Sequence, residues 1–184
     1  GYIKKTFTDK KTVNTDEIIV EKRDPGIAWG AVYAQFEENL DKVVRQGSGL
    51  NVDKKLYVET IVNNNRRLQP VIGKTQLKVV VRLTVRLDRT MDFVQLKDQR
   101  AACLEPVEVL SGYRNVGDVG CYVAVKDAST DFFFDTLNKG TYVLEYSYRV
   151  DRAGSYEAGI ATIQSAYAPE YAAHSASARY EVSQ

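Results

Sequence analysis

The segment "LKVVVRLTVRLDR", residues 77–89, decides the architecture. Val79, Val81, Leu83, Val85 and Leu87 fall on one side of an extended chain, with Arg82, Thr84 and Arg86 on the other. Side chains alternate across a strand, so a period of two reads as one buried face and one wet face. Residues 141–150, "TYVLEYSYRV", repeat the pattern: Tyr142, Leu144, Tyr146, Tyr148 and Val150 oppose Glu145 and Arg149. Working outward, further strands are expected at 17–22, 28–36, 55–62, 91–97, 101–109, 121–125, 130–135, 154–167 and 178–182.

Turn chemistry punctuates these runs. "RDPG" (23–26), "QGSG" (46–49), "NKG" (138–140) and "RAG" (152–154) supply Gly or Asn where φ must turn positive. No segment holds a 3.6-residue period over three turns, and "FEENLDKVVRQ" (36–46) is expected as a loop with at most one helical turn. Many short antiparallel strands without helices predict an all-β sandwich. A composition break falls at "DKVVRQGSGLNV" (41–52), with two expected strands before it and at least eight after. Two strands alone bury no core, so residues 1–46 must pack on later strands or complete a sheet in neighbouring chain. The expected domains are therefore 1–46 and 51–184.

Composition excludes several classes. The 184 residues are 44% hydrophobic and 27% charged, as for an ordinary globular core. Lys and Arg number 25 against 24 Asp and Glu, a net charge of +1 that gives no basic face for nucleic acid. No apolar run reaches the roughly 18 residues of a membrane span. There is no signal-peptide pattern, and the chain opens on Gly1, as an excised piece of a longer protein would. Twelve Tyr against one Met suits pleated sheet better than helix.

Candidate chemistry is sparse. The stretch "KDQRAACLEPVEVLSGYR" (97–114) sets Cys103 among Lys97, Asp98, Arg100, Glu105 and Glu108. A nucleophilic Cys needs a base or a helix N-terminus, and nearby carboxylates disfavour the thiolate. These residues are expected as wet and edge positions of two strands. Cys103 and Cys121 fit either one disulfide or two free thiols. His174 is the only histidine and has no zinc-type spacing around it. Asp127, Asp131 and Asp135 recur every fourth residue but enclose three Phe, so they read as solvated strand positions rather than a calcium loop. No cofactor is implied.

Three longer stretches carry a resemblance: "GIAWGAVYAQFEENLDKV" (26–43), "FVQLKDQRAACLEPVEVLSGYR" (93–114) and residues 127–171, which include "FFFDTLNKGTYVLEY" and "YAPEY". Together they resemble the C-terminal end of bacterial α2-macroglobulin family proteins, most closely the Bacteroides-type branch, from about residue 17 onward. The resemblance implies that 51–184 form the last macroglobulin-like sandwich, equivalent to the receptor-binding domain of animal members. It implies that 1–46 form strands at the end of the connector domain that follows the thioester domain. The implied activity is protease trapping, with a bait segment and a thioester elsewhere in the parent chain. The implied location is the bacterial cell envelope, periplasmic or on the outer surface, lipid-anchored through the parent.

The chain departs from that pattern in three ways. It has no C-G-E-Q motif, so neither cysteine is the thioester Cys, and it has no bait stretch. The animal receptor-binding lysines have no counterpart helix here, so Lys126 receives no such role. In some bacterial relatives a tyrosine of this last domain shields the thioester. By position, Tyr113, presented with Gly112 at the tip of "LSGYR" (110–114), is the corresponding candidate. The implied partners are the other domains of the parent chain and, through them, target proteases. Two rivals are a surface sandwich that stacks carbohydrate or peptide on its tyrosines, and a hydrolase built on Cys103 or the three aspartates.

Overall fold

Residues 78–87 become the middle strand of an antiparallel sheet, with Val79, Val81, Leu83 and Val85 fully buried. The computed structural model describes residues 2–8, 17–33, 37–70, 74–75 and 78–183, in two units, Gly1–Glu37 and Glu38–Gln184. Among the described residues of the second unit, a single 3₁₀ turn, Leu40–Lys42, is the one helical element, and strands follow it. They are β1 (Gln46–Gly47), β2 (Leu50–Val62), β3 (Asn65–Pro70), β4 (Lys74–Thr75), β5 (Lys78–Leu87), β6 (Met91–Gln99), β7 (Leu104–Pro106) and β8 (Gly112–Val116). Then come β9 (Val119–Val125), β10 (Ser129–Leu137), β11 (Gly140–Val150), β12 (Gly154–Glu157), β13 (Ala161–Ser165), β14 (Ala172–His174) and β15 (Arg179–Val182).

The strands build a seven-stranded sheet, β1-β14-β13-β6-β10-β9-β8, and a five-stranded sheet, β3-β2-β5-β11-β7. A small sheet, β12-β15-β4, includes the one parallel pairing among the described residues. The inner faces of the two large sheets merge into one hydrophobic cluster. Leu50, Val81, Leu83 and Leu144 come from one side; Leu96, Val123, Phe132 and Ile163 come from the other. Each such side chain, fully buried, contributes about 1.5–3 kcal/mol. This is the expected antiparallel β-sandwich.

Period two also carries polar residues inward. Leu50, Val52 and Lys54 share the inner face of β2, while Val94, Leu96 and Asp98 share that of β6. Lys54 Nζ and Asp98 Oδ1 stand 2.7 Å apart, with side chains 4% and 0% exposed. The two residues thus meet between the sheets.

Several expected elements take different shapes. The run 101–109 forms a ladder only over Leu104–Pro106, with one further bond from the Val107 N–H to the Ser147 carbonyl at 3.2 Å. The run 154–167 breaks at Gly159, whose φ is +72°; a Cβ there would stand 2.6 Å from the Gln99 carbonyl oxygen. Residues 17–22 and 28–33, expected as strands, carry none, and 34–36 of the second run lie outside the described residues. Within that unit no ladder partner meets them, and a lone strand has nothing to pair with. Their Ile18, Ile19, Val20, Trp29 and Tyr33 are exposed.

Two hairpins went unread in the sequence. β2 turns into β3 through Asn63 and Asn64, at φ 51° and 59°, the left-handed pair of a type I′ hairpin turn. β8 turns into β9 through Gly117 and Asp118, with only Gly117 at positive φ, 63°, and Val116 opposite Val119. Asn at the first turn and Gly at the second are residues that tolerate positive φ.

Candidate interaction surface

The Gly117 turn places Tyr113. Expected at a loop tip, it is instead the second residue of β8, the edge strand of the seven-stranded sheet. The hairpin with β9 sets its register opposite Tyr122, which lies opposite Phe133 of β10. The same rung continues through Gln95 of β6 and Gln164 of β13. The outer face of the sheet therefore carries an aromatic row that starts at its free edge. The Tyr113 ring meets Tyr122 edge-on at 5.1 Å and 73°, and Tyr122 lies 6.4 Å from Phe133. Tyr113 remains 78% exposed. Gly112 before it has open space around its Cα: an added Cβ would meet nothing within 4 Å.

Neighbouring polar groups hold the edge in place. Arg114 donates to the Leu110 carbonyl at 2.8 Å and pairs with Glu108, tying segment 107–111 to the strand. Val125 N–H donates to Ser111 Oγ at 3.0 Å. Val109 and Leu110 are left exposed beside Tyr113. An open depression of about 490 Å³ lies against this edge, lined by Tyr113, Arg114, Phe133 and Asp135 among others. It offers aromatic faces and one charge of each sign, which suits contact with a surface rather than bond-making.

The other candidate residues scatter. Cys103 and Cys121 are both free and buried, so the alternative of a disulfide does not hold. Burial pushes the Cys103 thiol up, against a hydrogen bond with Tyr180 whose Sγ–Oη distance is 3.3 Å. Burial raises Cys121 to about 11, with Arg114 opposing. Neither thiol is equipped as a nucleophile. Asp127 and Asp135 are exposed, but Asp131, expected to be solvated, is 1% exposed. It accepts from Lys126 Nζ at 2.6 Å and Ser129 Oγ at 2.8 Å, partners that make burial of its charge tolerable. Among the described residues, no three His, Cys, Asp or Glu side chains gather as a metal site. His174 sits in β14 with Nδ1 3.2 Å from the Ser175 carbonyl oxygen. No helix among the described residues is long and apolar enough to cross a membrane.

Sequence reasoning missed Asp98. It read as a wet strand position, yet its parity with Val94 and Leu96 already put it on the core face. Tyr146 Oη donates to its Oδ2, and Lys54 Nζ donates to the carbonyls of Gln99 at 2.6 Å and Ala158 at 2.8 Å.

Fold and surface together define an antiparallel β-sandwich of the macroglobulin type that presents an aromatic edge. The sequence model described as "Bacterial Alpha-2-macroglobulin MG10 domain" matches residues 49–170, and the chain belongs to that family. Curated protein sequences yield no match. Among solved structures, a tyrosine-to-glycine mutant of Salmonella alpha-2-macroglobulin is similar at TM-score 0.60 and 18% identity, over 78% of this chain and 10% of that one. Native Escherichia coli alpha-2-macroglobulin, spanning domain MG7 to the C-terminus, gives 0.61 and 14% over 78% and 25%. Escherichia coli alpha-2-macroglobulin activated by porcine elastase gives 0.60 and 13% over 77% and 14%. The chain thus spans between a tenth and a quarter of the structures it resembles.

Proposed function

We propose that this chain is the non-catalytic C-terminal structural and interaction domain of a bacterial alpha-2-macroglobulin-like protease-trapping protein. It packs on neighbouring domains of its own parent chain, acts at the cell envelope, and uses Tyr113 to shield a thioester held elsewhere in that chain. Supporting this reading are the family assignment and the small share of the larger macroglobulin structures that the domain occupies. The observation that carries it is Tyr113 itself: a large ring, 78% exposed, braced by Tyr122 and fixed by the Arg114 strap. An aromatic side chain held ready at an edge adds contact area at little entropic cost.

The test is Tyr113→Ala in the full-length parent, read as the rate at which a small amine consumes the thioester. The expected result is faster consumption with the fold unchanged; an unchanged rate rejects the shielding role. A second reading has one observation behind it, the aromatic row beside the open depression, which would also stack a sugar ring.

A further inference from the structure

The buried meeting of Lys54 and Asp98 has geometry unlike an ordinary ion pair. Nζ lies 2.7 Å from Oδ1, yet Oδ1 accepts no hydrogen bond. The donors of Nζ are directed instead to the Gln99 and Ala158 carbonyls, at 2.6 and 2.8 Å. Nζ therefore lies against the carboxyl group without an N–H aimed well at Oδ1. The other oxygen, Oδ2, accepts from the Tyr146 hydroxyl. Phe132 packs 5.3 Å from the Tyr146 ring, and both reacting side chains are shut off from water.

We propose that Lys54 and Asp98 form a modification site, at which the two side chains condense into an isopeptide bond joining the sheets. One ammonium proton passes to the carboxylate, giving a neutral amine and a carboxylic acid. The amine keeps two N–H groups, matched by the two carbonyls, and its lone pair is free to attack Cγ. Attack forms the Nζ–Cγ bond and places negative charge on Oδ2, where the Tyr146 hydroxyl stabilises it. The Cγ–Oδ1 bond then breaks. Oδ1 leaves as water carrying two of the original three ammonium protons, and the third stays on the amide nitrogen. Nothing is oxidised or reduced, and no co-reactant is needed.

Three physical effects favour the step. Fixing amine and acid together replaces a bimolecular encounter with an effectively unimolecular one. Two charges held out of water are costly, and the amide product carries none. Burial also pushes the Asp98 carboxyl up, against the pull of Lys54, which favours the acid form that reacts.

The experiment is the intact mass of the purified chain under denaturing conditions, followed by protease mapping. The expected result is a mass one water below the sequence sum, with a branched peptide joining the segments that hold Lys54 and Asp98. Lys54→Arg is expected to restore the full mass. Tyr146→Phe is expected to slow condensation about 100-fold, the effect of losing one oxyanion donor, while the sandwich still folds by circular dichroism. A full sequence mass for the unmodified chain, with both residues in linear peptides, overturns the proposal. So does a water loss that maps elsewhere.

Discussion

Tyr113 meets Tyr122 edge-on, 5.1 Å between ring centres, while keeping 78% of its surface in solvent. A contact of that kind adds about 0.5–1.5 kcal/mol beyond area burial. Because so little of the ring is buried, Tyr113→Ala should cost the isolated domain no more than about 1 kcal/mol in denaturant unfolding. A larger loss would mean that the tyrosine serves the core rather than a partner.

Gly117 should be far less tolerant. It turns β8 into β9 at φ +63°, and a Cβ there would stand 2.2 Å from the Val143 carbonyl oxygen. The strained backbone alone costs roughly 1–3 kcal/mol for a non-glycine residue. Gly117→Ala should therefore lower the urea midpoint by more than Tyr113→Ala does. Equal midpoints would mean that the β8–β9 hairpin does not dock on β11.

The Asn63–Asn64 turn offers a contrasting case. Both residues hold left-handed φ, which a β-branched side chain adopts only at about 1–2 kcal/mol. Asn64→Val should destabilise by that amount, whereas Asn64→Gly should be neutral or better. Thermal melts of the two variants check the order.

The thiols give a pH prediction. Cys121 is held at about 11 in the folded chain, against an ordinary value of 9.0, because burial disfavours its thiolate. The unfolded chain therefore releases this proton first. The contribution to stability is complete below pH 9 and is lost as pH rises towards 11. At neutral pH neither Cys103 nor Cys121 should react with a thiol reagent until denaturant is added. Rapid labelling in the native state would contradict their burial and reopen the cysteine-hydrolase reading.

Much of this was legible in the sequence because period two is a strong signal wherever a strand has one wet face. Val79 to Leu87 and Tyr142 to Val150 landed as neighbouring strands of one sheet, paired in register. What escaped were features decided by tertiary contact. Strand β8 was hidden because the Ser-Gly-Tyr of "LSGYR" looks like a loop until Gly117 and Asp118 are read as a hairpin turn. Asp131 and Asp98 looked wet because charge usually is; their partners Lys126, Lys54 and Tyr146 lie on other segments or beyond a turn. The runs at 17–22 and 28–33 show the reverse error, strand-like composition with no pairing partner among the described residues of their own unit.

The proposed docking of the Tyr113 edge on the rest of its parent chain is tested most directly by hydrogen exchange. Amides of Gly112–Val116 would be followed in the isolated domain, in the native full-length parent, and in the parent after protease cleavage. This edge strand is expected to exchange readily in the isolated domain, to be protected at least tenfold in the native parent, and to change protection on cleavage. Exchange at the same rate in all three would contradict the proposed docking.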